Sequence, residues 1–392
     1  MPELYGKSMS RRDLAERSGG TGQFGGVRLM TLSDGLERGI RLLEFRSGTG
    51  LRFTVLIDRA FDIADCEFQG KSIGWHSPSG FRHPGLHEPE GEGGLGWLRS
   101  FSGLMVTCGL DHILFMDQAP ADHFNYEPRK NVSNSIHGRV SSIPAQLVGY
   151  GENWDGDTCT YWAEGIIRQG TVFGENLELR RRIEIDMGSN DIRINDVVTN
   201  RGFYLTPHMY CYHINIGYPV LDDGARYIAP IKDVVWAGHA GNYKDQSTGY
   251  RSMVAPQGKF YEQVWQHELA ANEQGEQSIA IVNDRIGLGF EVITKKDQFP
   301  CMFEWQNFQA GQYALGIEPS TNHVLGAAYA RENDEIIMLE HGDTREYQSV
   351  FRILADSVAI SDAENRITNT HKQPVEDFPT PSGNHISIRQ TK

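Results

Sequence analysis

The segment Tyr313-Ala-Leu-Gly-Ile-Glu-Pro319 offers one carboxylate, Glu318, from residues otherwise apolar or small. In an extended strand side chains alternate, so Tyr313, Leu315 and Ile317 face one side and Ala314, Gly316 and Glu318 the other. Glu318 then stands on a shallow, uncluttered surface as a candidate base. Pro319 biases Glu318 towards β geometry and has no N–H to give, so the ladder is expected to end there, with the carboxylate at the mouth of a sheet. Alone, a glutamate at a strand end is most often plain surface, and other residues must decide.

His208 and His213 first suggest a metal pair. Their separation of five puts them on opposite faces of a regular strand, where they cannot share an ion. His213 shares its face with Met209, Cys211 and Asn215, whereas His208 goes with Tyr210 and Tyr212. In Ser135-Ile-His-Gly-Arg-Val140 the glycine would admit a ligand close to the backbone, and His137 and Arg139 can donate hydrogen bonds to hydroxyls. Arg129, Asn131 and Asn134 lie in the polar loop before it. His76, His83, His87, His112 and His123 fall in loop-like segments without ligand spacing, so no metal is expected. Gly20-Thr-Gly-Gln-Phe-Gly25 spells a dinucleotide fingerprint, but a helix-like segment precedes it and a strand-like one follows, the reverse of what phosphate binding needs.

The elements that must hold these residues are strands. Ile40–Phe45, Leu51–Ile57 and Asp62–Phe68 read as a meander, and Leu177–Ile185 with Ile192–Val198 as a half-buried hairpin around Met187-Gly-Ser-Asn-Asp191. Further strands are expected at Thr158–Ile167, Pro207–Ile216, Ser278–Asn283, Leu288–Ile293, Met302–Gln306, Tyr313–Glu318, Ile336–Leu339 and Glu346–Leu354, with a short helix at Arg11–Ser18. The 43 glycines suit many turns between short strands. Trp75–Trp97, rich in Pro and His, reads as a long loop able to cover a site. One all-β domain over residues 29–370 is expected, between an N-terminal arm (1–28) and a poorly ordered polar tail (371–392).

Among 392 residues, 37 Lys and Arg stand against 51 Asp and Glu, a net charge of −14 that argues against nucleic acid or an anionic membrane surface as partner. A small neutral ligand and a homo-oligomer are both compatible with it. Five widely spaced cysteines, with no C-x-x-C and no apolar leader, fit a soluble cytoplasmic protein.

Val106-Thr-Cys-Gly-Leu110, Ile136-His-Gly-Arg139, Tyr212-His-Ile-Asn215 and Gly316-Ile-Glu-Pro319, in this order, resemble the aldose 1-epimerase (galactose mutarotase-like) superfamily, and within it the branch of aldose 1-epimerase-like proteins of unknown function. The resemblance runs from about Leu29 to Leu354. It implies a β-supersandwich with an open cleft on one large sheet, Glu318 as general base, His213 as general acid, and His137 binding the sugar near its ring oxygen. Arg129 or Arg139 would take the place of the family's arginine. Asp222, Asp223 and Glu262 are the candidates for its hydroxyl-holding aspartate, and Asn215 and Trp305 fall to substrate binding.

Chemistry agrees with that implication. Opening a hemiacetal removes the anomeric hydroxyl proton while the ring oxygen gains one, and closing on the other face reverses both, so one carboxylate and one imidazole suffice without a cofactor. Trp75, Trp97, Trp236, Trp265 and Trp305 include sugar-stacking candidates. The expected function is anomer interconversion of an aldose or a derivative. One rival is isomerisation, epimerisation or elimination through a carbon-bound proton in the same cleft; another is a non-catalytic carbohydrate-binding protein, which would not need a base paired with an acid.

Overall fold

A computed structural model describes residues 1–238 and 249–389. Among the described residues, eight strands form one antiparallel sheet in the spatial order Gln146–Asp155, Thr158–Gly170, Asn176–Asp186, Asp191–Asn200, Thr344–Leu354, Leu288–Lys295, Glu276–Asn283 and Arg226–Ile228. Six others form a second sheet in the order Ile231–Ala237, Gln263–Leu269, Cys301–Asn307, Ala314–Ser320, Cys211–Ile216 and Met105–Cys108. The meander from Gly26–Thr31 through Lys71–Ser72 adds a five-stranded sheet.

The largest hydrophobic core joins inward residues of all three sheets: Ile183, Ile194 and Phe351 of the first, Tyr212, Ile214, Leu315 and Ile317 of the second, Phe45 and Phe53 of the third. The outer face of the six-stranded sheet is not left to solvent. Trp75, Trp97 and Phe101 fold over it and bury Val106, Cys108, Cys211 and Phe303 in a second core. The strands at the centre of that sheet are therefore covered on both faces, and period-two alternation decides which core each residue enters.

Several expectations change in position. The expected strand over Pro207–Ile216 is two, Thr206–His208 and Cys211–Ile216, since the Met209 N–H donates to the Leu110 carbonyl instead of continuing the ladder. Pro319 does not end its strand, which runs to Ser320 with Pro319 facing Met302. Its missing N–H leaves a gap in the register towards the Cys211–Ile216 strand, between Cys211–Ser320 and Ile214–Ile317. Helices at Gly326–Glu332 and Ser357–Thr370 were not expected; the longer one is capped by Asp356, whose carboxylate accepts from the Ala359 N–H, and buries Ile360, Ala363 and Ile367. The terminal segments are tied down as well. Leu4, Met9 and Leu14 enter the main core, and the Ser382 and Gly383 N–H groups donate to the Val234 and Val235 carbonyls. Among the described residues no helix is long and apolar enough to cross a membrane.

Candidate active site

Glu318 and His213 meet because their strands are neighbours in register. Ile214 pairs with Ile317 and Asn215 with Gly316, so His213 and Glu318 are opposed across the ladder and, by parity, both point to the outer face. His213 Nε2 lies 3.1 Å from Glu318 Oε1. Gly316 makes room for this contact: a Cβ there would sit 3.0 Å from His213 Cε1 and 3.1 Å from Glu318 Oε1. On the other flank Trp305 faces Gly316 and shares the same surface.

His137 arrives from the loop after Asn131–Asn134. It holds a left-handed backbone (φ 58°), fixed by its N–H donating to the Leu114 carbonyl and its carbonyl accepting from the Gly109 N–H. Gly138 is also left-handed, and any side chain there would run into the carbonyls of Gly109 and His112. The loop is thus shaped to present the imidazole. Its ring centroid lies 5.6 Å from that of His213 and 4.6 Å from Trp97. Phe101 and Trp305 meet His213 edge-on at 4.5 and 5.1 Å.

These groups line a cleft of about 610 Å³, walled also by Trp75, Ser77, Arg82, Arg99, Glu262 and Gln312. The volume is that of a small-molecule pocket. Glu318 is not on the shallow surface expected from its sequence; it is 4% exposed, on the cleft floor. Glu262 accepts a hydrogen bond from Trp305 Nε1 at 2.9 Å, which fixes the plane of that indole.

Burial dominates the electrostatics. It pushes Glu318 up to about 8, with His137 opposing. It holds His213 well below the usual imidazole range, and the charge of His137 adds to that. His137 moves the other way: burial opposes its protonation, but Cys108, Glu318 and Glu262 together outweigh burial. Cys108, opposite Cys211 in the ladder, is a free thiol behind the histidines, as is Cys211.

The cleft gathers Glu318, His213, His137, Trp305 and Glu262 from the expected site residues, whereas Arg139, Arg129, Asn215 and Asp222 do not line it. Arg139 pairs with Glu175 and Asp111 outside the cleft. Arg129 lies over the Phe124 ring at 4.2 Å, and the arginines of the cleft are Arg82 and Arg99 instead. Asn215 is fully buried and donates to the Gly103 and His213 carbonyls, so it positions the histidine strand rather than touching a ligand. Asp222 pairs with Arg285, away from the cleft, while Glu262, the third acidic candidate, is in it. Of the tryptophans, Trp265 is buried in the main core, whereas Trp75 and Trp97 line the cleft with Trp305. Arg82, Arg99 and Phe101 were missed, although the Trp75–Trp97 loop, which carries Arg82 and ends two residues before Arg99, was legible as a cover. Among the described residues, the ligand atoms close enough to share a metal ion are those of Asp111, His123 and Glu175, outside the cleft.

Fold and cleft define a galactose mutarotase-like β-sandwich. The chain aligns with a Klebsiella pneumoniae protein provisionally assigned as an aldose 1-epimerase (TM-score 0.80, 23% identity, 92% of this chain and 91% of that one). It also aligns with a galactose mutarotase-like protein of Clostridium acetobutylicum (TM-score 0.56, 10% identity, 84% and 99%) and with galactose 1-epimerase of Lactobacillus acidophilus NCFM (TM-score 0.51, 13% identity, 84% and 98%). At these identities the likeness establishes the fold. No curated protein matches the sequence. Residues 37–353 match the family described as domain of unknown function (DUF4432), and the chain belongs to that family.

Proposed function

We propose that this protein interconverts the anomers of an aldose or an aldose derivative. The observation that carries this reading is the 3.1 Å contact between Glu318 and His213 on the floor of an aromatic cleft, with His137 at its side. Glu318 takes the anomeric hydroxyl proton, His213 delivers one to the ring oxygen, and His137 donates a hydrogen bond beside that oxygen. Closing the ring on the other face reverses the two transfers. Trp305 and Trp97 stack on the sugar, and Arg82 and Glu262 hold hydroxyls.

The proton inventory has one consequence. A carboxyl raised to about 8 and an imidazole well below its usual range share a single proton at neutral pH, resting on Glu318. The working form, with Glu318 ionised and His213 protonated, has the same total charge and is reached by shifting that proton along the contact. A second reading rests on the same raised carboxyl. A carboxylate of higher proton affinity is better matched to a carbon-bound proton, as in isomerisation or epimerisation.

Proton NMR in deuterated water, run across aldoses, ketoses and uronates, separates the two. Accelerated exchange of anomeric signals without label in carbon supports anomer interconversion. Deuterium entering a C–H position moves the assignment to the second reading, and no effect on any sugar removes both.

A further inference from the structure

Behind the loop that presents His137 lies a second constellation of ligating side chains. Asp111 follows the Met105–Cys108 strand, His123 lies between the Asp117–Pro120 and Asn131–Asn134 strands, and Glu175 sits in the turn before Asn176–Asp186. One ligand atom of each lies within 4.8 Å of the others. Glu175 is 1% exposed and His123 8%.

The hydrogen bonds around them are one-sided. Asp111 Oδ1 accepts from Gln169 Nε2 at 2.7 Å, and Glu175 Oε1 accepts from Thr171 Oγ1 at 2.8 Å and from Arg139. Arg139 also stands 3.5 Å from Asp111 Oδ2. Glu175 Oε2 and His123 Nε2, both buried, have no partner. Orphaned acceptors at that depth are costly, and one guanidinium against two carboxylates leaves a net negative charge. Ligating carboxylates and histidines are characteristically held by such outer partners, with one lobe left free.

We propose that Asp111, His123 and Glu175 bind one divalent first-row ion in the range from Mn²⁺ to Zn²⁺. One imidazole nitrogen with two carboxylate oxygens suits such ions better than Ca²⁺ or Mg²⁺, which favour all-oxygen sets. Asp111 and His123 help to line a cavity of about 750 Å³, which gives the ion a route in. Arg139, two residues after His137, grips this cluster while His137 faces the cleft, so the ion steadies the presenting loop from behind without touching the sugar site.

The whole chain, stripped with chelator and desalted, is titrated with Mn²⁺ followed by paramagnetic resonance and with Zn²⁺ followed by calorimetry, and its unfolding temperature is read with and without metal. One equivalent should bind and raise that temperature by several degrees. His123→Asn and Glu175→Gln should weaken binding by at least about 100-fold, whereas His213→Asn should bind as the parent does. His123→Asn removes no existing hydrogen bond and is expected to fold, which circular dichroism checks. Absence of one-equivalent binding by either ion, or binding undiminished in folded His123→Asn, would overturn the site and show the cluster to be an acid–imidazole–guanidinium group alone.

Discussion

Tyr212 and His213 are adjacent on one strand and serve two buried polar clusters of opposite character. On the inner face, Arg181 donates to both oxygens of Asp196 at 2.8 and 2.7 Å, to Asp62 at 2.7 Å and to Thr107 at 2.8 Å, while Tyr210 and Tyr212 donate to Asp196 at 2.6 and 2.5 Å. Thr107 donates in turn to Asp62 at 2.5 Å. On the outer face, His213 Nδ1 and His137 Nδ1 are buried without a partner, and Glu318 and His213 are both held in their uncharged forms. A fully bonded network fixes one arrangement of the three sheets it touches. An incompletely bonded one leaves protons and lone pairs unengaged, and the two differ in this way although a single peptide unit separates them.

Breaking the inner cluster should have the largest effect. Arg181→Met strands Asp62 and Asp196 without their counter-charge, and a loss of about 3–5 kcal/mol, or failure to fold, is expected in denaturant titration. A loss below about 1 kcal/mol would mean that the network is not what aligns the sheets.

Glu318→Gln should do the opposite. Activity should fall by about 10²-fold or more while the fold is kept. The carboxyl is raised from 4.5 to about 8 on folding, so its contribution is fully present below pH 4.5 and is lost as pH rises through about 8. Glutamine does not titrate. The variant should therefore gain in unfolding temperature over the parent, with a gain that grows between pH 5 and pH 9; a gain largest at pH 5 would contradict the raised value.

The two strand histidines sharpen the comparison further. His213→Asn should lower turnover by at least about tenfold. His208 donates to and accepts from the inner side, between the Leu110 carbonyl and the Tyr347 hydroxyl at 2.7 Å each, so His208→Asn should cost about 1–3 kcal/mol of stability and change turnover little. The reverse pattern would exchange their assigned faces.

The smallest effect expected is in the pH profile. The rate should fall on the alkaline side near pH 8, where the Glu318–His213 pair loses its shared proton, and on the acid side only well below 6.5, where it gains a second. A kcat/KM that stays level to pH 10 would remove the pair from the chemistry.

The parity of Glu318 and His213 was legible in the sequence because alternation along a strand is local, and the resemblance then named their partnership. Other residues were hidden by distance. Nothing near Arg82 in the chain ties it to Glu318, whereas Arg139 stands beside His137 and yet turns the other way, because the left-handed bend at His137 and Gly138 reverses the chain between them. Pro319 predicts the end of its strand, but only the pairing towards Cys211–Ile216 lapses there, while Pro319 still pairs with Met302 on the other side and the strand runs on to Ser320. The Ser357–Thr370 helix escaped notice because only Ile360, Ala363 and Ile367 mark its buried face in a mostly polar run.

The closing stretch of chain has one more consequence. Among the described residues Ile231–Ala237 is the outermost strand of the six-stranded sheet, and the Ser382 and Gly383 N–H groups occupy two of its carbonyls while Ser382 Oγ donates to Asp233 at 2.6 Å. An uncovered strand edge is a template for another chain, and here the protein blocks its own. Removal of residues 380–392 should leave proton transfer in the cleft intact and produce concentration-dependent self-association, visible by light scattering. A shortened chain that stays as dispersed as the parent would show that the edge needs no guard.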